Sequence, residues 1–222
     1  MKTIINDLIS ALHAAADAER AVGMTAYMKY NFPFLGIQTP IRRRILKVWN
    51  QQHAPEIKNN VRAIVRALWQ LPEREFHYCA VDLLVKNLKN KWEVADELLI
   101  YELLTTHAWW DTVDLLAKYG LGGYLQQFPE KRDLILESYL ASDQFWLQRS
   151  TLIFQLDYKS KTDVELLKAL SLHFKGDKEF FIRKAIGWAW REYARVNPEL
   201  VRQWIPQSGL SPLSVREAMK HL

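Results

Sequence analysis

A chain of 222 residues has length for one large domain, or for an array of small units, with ample material for a core. Its composition, 49% hydrophobic and 25% charged, is globular, and no uninterrupted apolar stretch of about eighteen residues is present, which excludes an ordinary membrane-spanning helix. The formal charge of +5 and isoelectric point near 9.2 favour an anionic partner without naming one.

In chain order the pattern reads as all-α. "MKTIINDLISALHAAADAER" is interrupted by Asn6, Asp7 and Asp17 and reads as an amphipathic first helix, not a signal peptide. In "TPIRRRILKVW", Thr39 suits an N-cap and Pro40 the first turn. Arg42, Arg43 and Arg44 would ordinarily be a solvated face, but they follow a helix N-terminus, where free N–H groups also attract phosphate. "EFHYCAVDLL" carries the single cysteine, Cys79, so no intramolecular disulfide can form, which fits a reducing cytosol. Cys79 and His77 stand two apart on a helix and point to different sides, which disfavours a thiol nucleophile.

"EVADELLIYELLTT" predicts a further helix. In "WWDTVD" (109–114), two indoles and two carboxylates crowd a single short helix. Buried, the carboxylates are expensive; exposed, the indoles are wasted. Asp111 in a first turn would complement the helix dipole, leaving Asp114 as the unusual group. "GLGG" (120–123) follows a helix and lacks the preceding strand of a phosphate-binding fingerprint, so it predicts a loop and C-cap. "EKRDLILESYLAS", "QFWLQRSTLIF", "VELLKALSLHF" and "FFIRKAIGWAWREYARV" continue the helical spacing, and no strand-like alternation or Asn-Gly hairpin turn appears. The six histidines form no HExxH or other ligand spacing, so neither a metal nor another cofactor is indicated.

A shift of 35 residues overlays "PIRRRILKVW", "EFHYCAVDLL", "WDTVDLLAKY", "QFWLQRSTLIF" and "FFIRKAIGWAW". That period, with two helices per unit, predicts a HEAT-like helical-repeat solenoid of antiparallel helix pairs, taken as one domain over 1–222. Arg44, Cys79, Asp114, Arg149 and Lys184 fall at equivalent steps. Trp110 stands one turn before Asp114 and Trp188 one turn after Lys184, so each tryptophan shares a helix face with its neighbour in this line. The same positions would equally suit inner-helix core residues. Because successive helical residues are about 100° apart, Trp109 should pack while Trp110 shares Asp114's face.

"YMKYNFPFLGIQTPIRR", "LPEREFHYCAVDLL", "WWDTVD", "SDQFWLQRSTLIFQL" and "FFIRKAIGWAWREYARVNP" together resemble the AlkD family of alkylpurine DNA glycosylases, in order and over nearly the whole chain. The resemblance implies a concave DNA-binding groove and hydrolysis of the N-glycosidic bond of N3- and N7-alkylated purines in duplex DNA, without enclosing the base in a pocket. No lysine stands as an evident Schiff-base nucleophile beside Asp114, so the enzyme is expected to be monofunctional; it is also expected to be monomeric and to act in a bacterial cytoplasm on nucleoid DNA, with no membrane partner. Asp114 matches the catalytic aspartate, Trp110 and Trp188 the tryptophans that face the lesion, and Arg149 the arginine that holds the DNA backbone. Tyr27, Gln38, Thr39, Arg43, Arg44 and Lys184 are the further candidate DNA contacts. Ile41 and Trp190 depart from the expected acidic and aliphatic residues. The alternatives are a DNA-binding relative without hydrolase activity and a helical-repeat scaffold for proteins.

Overall fold

The computed structural model describes residues 1–222 as helices and connecting turns, with no strand. The chain divides into two compact units, Met1–Lys91 and Trp92–Leu222. No helix is long and apolar enough to cross a membrane.

The first unit holds α1 (Lys2–His13), α2 (Ala18–Tyr27), α3 (Thr39–Gln52), α4 (Ala54–Trp69) and α5 (Arg74–Leu88). The sequence "MKTIINDLISALHAAADAER" is two elements and not one helix. The Asp17 carboxylate accepts from the Arg20 amide and caps a new helix, so the chain turns between His13 and Ala18. α1 buries Ile4, Ile5, Leu8 and Leu12, whereas α2 has no fully buried residue. α3 begins at Thr39, with Gln38 as its cap and Pro40 in the first turn, one residue ahead of the expected start. Its Trp49 is buried and donates from Nε1 to the Ile4 carbonyl at 2.6 Å. α4 and α5 pack as a pair across a short connection, which makes them antiparallel.

The second unit begins with α6 (Asp96–Thr105). A long helical run follows, made of α7 (Trp110–Leu115), a π-helical segment Leu116–Leu121 and α8 (Gly122–Gln127). After a 3₁₀ turn come α9 (Arg132–Leu140), α10 (Phe145–Ile153), α11 (Val164–His173), α12 (Phe180–Tyr193), α13 (Pro198–Gln207) and α14 (Pro212–Ala218). Asp163, Glu179, Asn197 and Ser211 cap α11, α12, α13 and α14 through their side chains. Helices α7, α10, α12 and α14 form a row in which each packs on the next. The starts of α3, α5, α7, α10 and α12, at Thr39, Arg74, Trp110, Phe145 and Phe180, stand 35 or 36 residues apart. The architecture is therefore an all-α repeat, with the period read from the sequence.

"GLGG" is helical, not a loop. Gly120 lies in the π-helical segment, and Gly122 and Gly123 open α8. Glycine is needed here for approach: a Cβ on Gly122 would stand 2.3 Å from the Phe154 carbonyl oxygen at the end of α10. The Gly122 carbonyl accepts from the Tyr158 hydroxyl at 2.8 Å. Gly→Ala inside a helix ordinarily stabilises. At Gly122 the contact reverses the sign, and Gly122→Ala is expected to destabilise by about 1–3 kcal/mol in a denaturant melt. A rise in the midpoint would contradict the packing described.

Candidate functional site

The site is built on α7, α10 and α12 of the second unit. Trp109 is the N-cap of α7 in extended backbone, and Trp110 is its first helical residue. The 100° spacing applies only from Trp110 onward, but Trp109 packs as expected. Trp109 turns into an aromatic cluster, edge-to-face with Trp146 and with Phe181, both at 5.6 Å. Phe145 lies 4.4 Å from Trp146, and Trp146 lies 5.0 Å from Phe181. Such pairs add to the burial of their own area. Trp109 is half-buried, so it packs without being a fully buried core residue.

Asp114 lies one turn after Trp110 on α7. Its carboxylate is gripped from α10 by Arg149, whose Nε donates to Oδ1 at 2.8 Å and Nη2 to Oδ2 at 3.0 Å. Arg149 also donates from Nη1 to the Phe181 carbonyl in the first turn of α12. One guanidinium thus ties three successive helices of the row. Arg149 is only 4% exposed, and the Asp114 side chain 16%. A bidentate, mostly desolvated pair is among the stronger side-chain interactions. Burial pushes the Asp114 carboxyl above the ordinary aspartate range, and the Arg149 guanidinium pulls against that shift. The 35-residue register therefore makes Asp114 and Arg149 bonded neighbours.

Immediately after Leu115 the helix widens into the π-helical segment, a deviation found frequently at functional sites. Lys118, in that segment, lies 3.5 Å from Asp157. It lines a cavity of about 410 Å³ with residues of α10 and α12, and none of Asp114, Trp110 or Trp188 is among the lining residues.

Trp188 on α12 is half-buried, as is Trp110 on α7. Lys184, one turn before Trp188, is paired with Glu217 of α14 at 2.9 Å, and Arg191 bonds the other oxygen of the same carboxylate. Those two cations, Lys184 foremost, hold the Glu217 carboxyl below its usual range. Trp190 is core: fully buried, stacked on Trp204 at 4.4 Å and donating to the Ser171 hydroxyl. No group of three or more His, Cys, Asp or Glu side chains comes together that could hold a metal ion.

A family model described as DNA alkylation repair enzyme matches residues 8–222. The chain belongs to the DNA alkylation repair enzyme family. A solved structure described as a predicted DNA alkylation repair enzyme from Enterococcus faecalis is similar at 32% identity and a TM-score of 0.83, over 93% of this chain and 96% of that one. No curated protein matches.

The first unit carries Tyr27, Gln38, Thr39, Arg43 and Arg44, all exposed. Their neighbour Arg42 is 4% exposed and bonds Asp82 at 2.8 Å, with its Nη1 3.8 Å from the buried Cys79 sulfur. The arginine that faces Cys79 is therefore Arg42, while Arg44, its counterpart in the 35-residue register, lies at the surface. Helical geometry sends the three consecutive arginines to different sides.

Sequence reasoning missed the residues that hold the Gln38–Thr39 turn. Glu75 is fully buried and accepts from the backbone amides of Leu35, Gly36 and Ile37 at 2.9–3.0 Å. Gly36 adopts φ +84°, and a Cβ there would meet the Asp17 carbonyl at 2.0 Å. Arg74 beside it is fully buried over the Phe32 ring, 3.8 Å from its centroid. "EREF" reads as a polar helix start, and nothing local marks its Glu as the anchor of a loop some 40 residues earlier. Glu75→Gln puts an amide donor against this cluster of donors and should cost roughly 1–3 kcal/mol in a denaturant melt. An unchanged midpoint would show that the loop holds itself.

Proposed function

We propose that this protein is a monofunctional alkylpurine DNA glycosylase of the AlkD kind, with a HEAT-like fold. The family model spans both units, which supports treating residues 1–222 as a single functional domain. The observation that carries the reading is the Asp114 carboxylate, desolvated and oriented by Arg149, on the helix face it shares with Trp110.

A purine alkylated at N3 or N7 is cationic and is a good leaving group. Its bond to C1′ breaks with the electron pair going to the base, which departs neutral. Positive charge develops on the deoxyribose, and the Asp114 carboxylate stabilises it. Water then adds at C1′, and its proton passes to the carboxylate. Trp110 and Trp188 contact the cationic lesion and its sugar through their faces, where cations are favoured. Lys118 and Lys184 are each ion-paired, which supports a mechanism without a Schiff base or strand cleavage.

Arg149 has two roles in this reading. It fixes Asp114, and the N–H groups it has not used on Asp114 and Phe181 reach a phosphate of the lesion strand. Gln38, Thr39, Arg43, Arg44, Tyr27 and Lys184 supply further duplex contacts, Lys184 after release from Glu217. The tight Asp114–Arg149 pair also favours a second reading, a DNA-binding relative in which the pair only holds α7 to α10.

Asp114→Asn separates the two. It keeps the shape and removes the charge. The glycosylase reading expects base release slowed by roughly a hundredfold or more, with duplex affinity retained, in single-turnover assays. An unchanged rate rejects Asp114 as the reacting carboxylate. The pH profile gives an independent check. Burial raises the Asp114 carboxyl and Arg149 opposes the rise, so activity should fall on acidification above the pH of an ordinary aspartate. Arg149→Gln removes the opposing charge, so the acid limb should move to still higher pH. A limb that stays in place would show that the titrating group is elsewhere.

A further inference from the structure

Glu217 bridges two cations that bracket Trp188. Lys184 stands one turn before the indole and Arg191 one turn after it, so the three residues share one stripe of α12. The carboxylate reaches them from α14. Its Oε1 lies 2.9 Å from the Lys184 ammonium, and its Oε2 lies 2.8 Å from Nη1 of Arg191. The Glu217 side chain is only 12% exposed, so salt and water screen this bridge weakly.

The seat of α14 on α12 does not depend on that bridge alone. Gly187 precedes Trp188, and a Cβ there would stand 2.4 Å from the Glu217 Cβ and 2.7 Å from the Ser214 carbonyl oxygen. Only glycine permits so close an approach at this position. The buried Ser214 hydroxyl donates to the Arg183 carbonyl in the first turn of α12 at 2.9 Å. Ser211 caps α14 by accepting from the Ser214 amide. α14 therefore presents Glu217 to the Trp188 stripe from a fixed backbone.

An indole face attracts any cation that comes within about 6 Å of its centre. A lysine and an arginine one turn away on the same stripe are the chain's own competitors for the face of Trp188. Neither occupies it. The cations that stand over aromatic rings are Arg42, Arg74, Lys118 and Arg149, all on other rings. Lys184 and Arg191 are drawn to α14 instead, and Trp188 stays half-buried with part of its surface open. We propose that Glu217 is a specificity-determining positioning residue: it keeps the Trp188 face clear of Lys184 and Arg191 and so reserves it for a cationic base. Glu217 also cancels one of two positive charges that would repel such a base. When a duplex phosphate takes up Lys184, that cation is again held off the ring, and Glu217 retains Arg191. The inference rests on the reading of Trp188 as a lesion contact, and not on release of the base.

The test compares two lesions of one shape and different charge. One duplex carries N7-methylguanine, which is cationic. The other carries 7-deaza-7-methylguanine, in which carbon replaces N7 and the base is neutral. Both lesion sugars bear fluorine at C2′, which retards formation of the sugar cation and keeps the base in place during binding. Affinities are read by fluorescence anisotropy for the full chain and for Glu217→Gln. The parent should prefer the cationic duplex, and Glu217→Gln should lose roughly 2- to 30-fold of that preference, the range of a cation–π contact. Adding Lys184→Gln and Arg191→Gln to Glu217→Gln removes the competing cations and should restore the preference, though at lower affinity. Those two changes would not repair a loosened α14, so the rescue separates positioning from a merely structural role. A parent with no preference, an unchanged preference in Glu217→Gln, or a triple variant that stays unselective overturns the proposal. If the preference behaves as stated but the parent releases no base from an alkylated duplex with ordinary sugars, the role of Glu217 stands and the glycosylase reading fails.

Discussion

Arg149 is the residue on which the second unit's functional face turns. Its guanidinium holds both carboxylate oxygens of Asp114 on α7 and the Phe181 carbonyl at the start of α12, from its own place on α10. Without it, a largely buried carboxylate would lose its counter-charge, and removing one partner of a buried pair is far more damaging than the pair's net worth. The aromatic cluster of Trp109, Phe145, Trp146 and Phe181 lies against the same three helices and resists their sliding. In the proposed mechanism, the arrangement keeps the Asp114 carboxylate oriented before any DNA arrives. That is what a reaction limited by stabilising a short-lived cation requires.

The two units contribute differently. The first is strongly basic, and it fixes the turn before α3 through a buried carboxylate on α5. The second is slightly acidic and carries the candidate chemistry. A net-positive surface draws in a polyanion over long range, but it would also attract any duplex equally. Recognition of a cationic base needs another kind of surface, aromatic faces and a carboxylate, which Trp110, Trp188 and Asp114 supply in the proposed mechanism.

The period was legible because a repeat must place equivalent residues at equivalent steps. It correctly located five helix starts and made Asp114 and Arg149 neighbours. The packing of Trp109 was also legible, although Trp109 is a cap and not a helical residue. What failed had long-range causes. "GLGG" carries a loop composition, yet its glycines serve the approach of α8 to the end of α10, and only the tertiary partner reveals that. The break at Asp17 is a capping event hidden inside an apolar-periodic run. Arg42 was indistinguishable from Arg43 and Arg44 until Asp82 and Cys79 were placed opposite it. Glu75 gave no local sign of the three amides it serves.

The claim at the centre of this account is that the Asp114 face cleaves an N-glycosidic bond. The most direct measurement is incubation of the protein with a duplex containing N7-methylguanine, with the products resolved by mass spectrometry. The account predicts free 7-methylguanine and a full-length strand carrying one abasic position. Recovery of the intact alkylated duplex under conditions where the protein is bound to it would contradict the account, and a strand cleaved without added base or lyase would contradict its monofunctional chemistry.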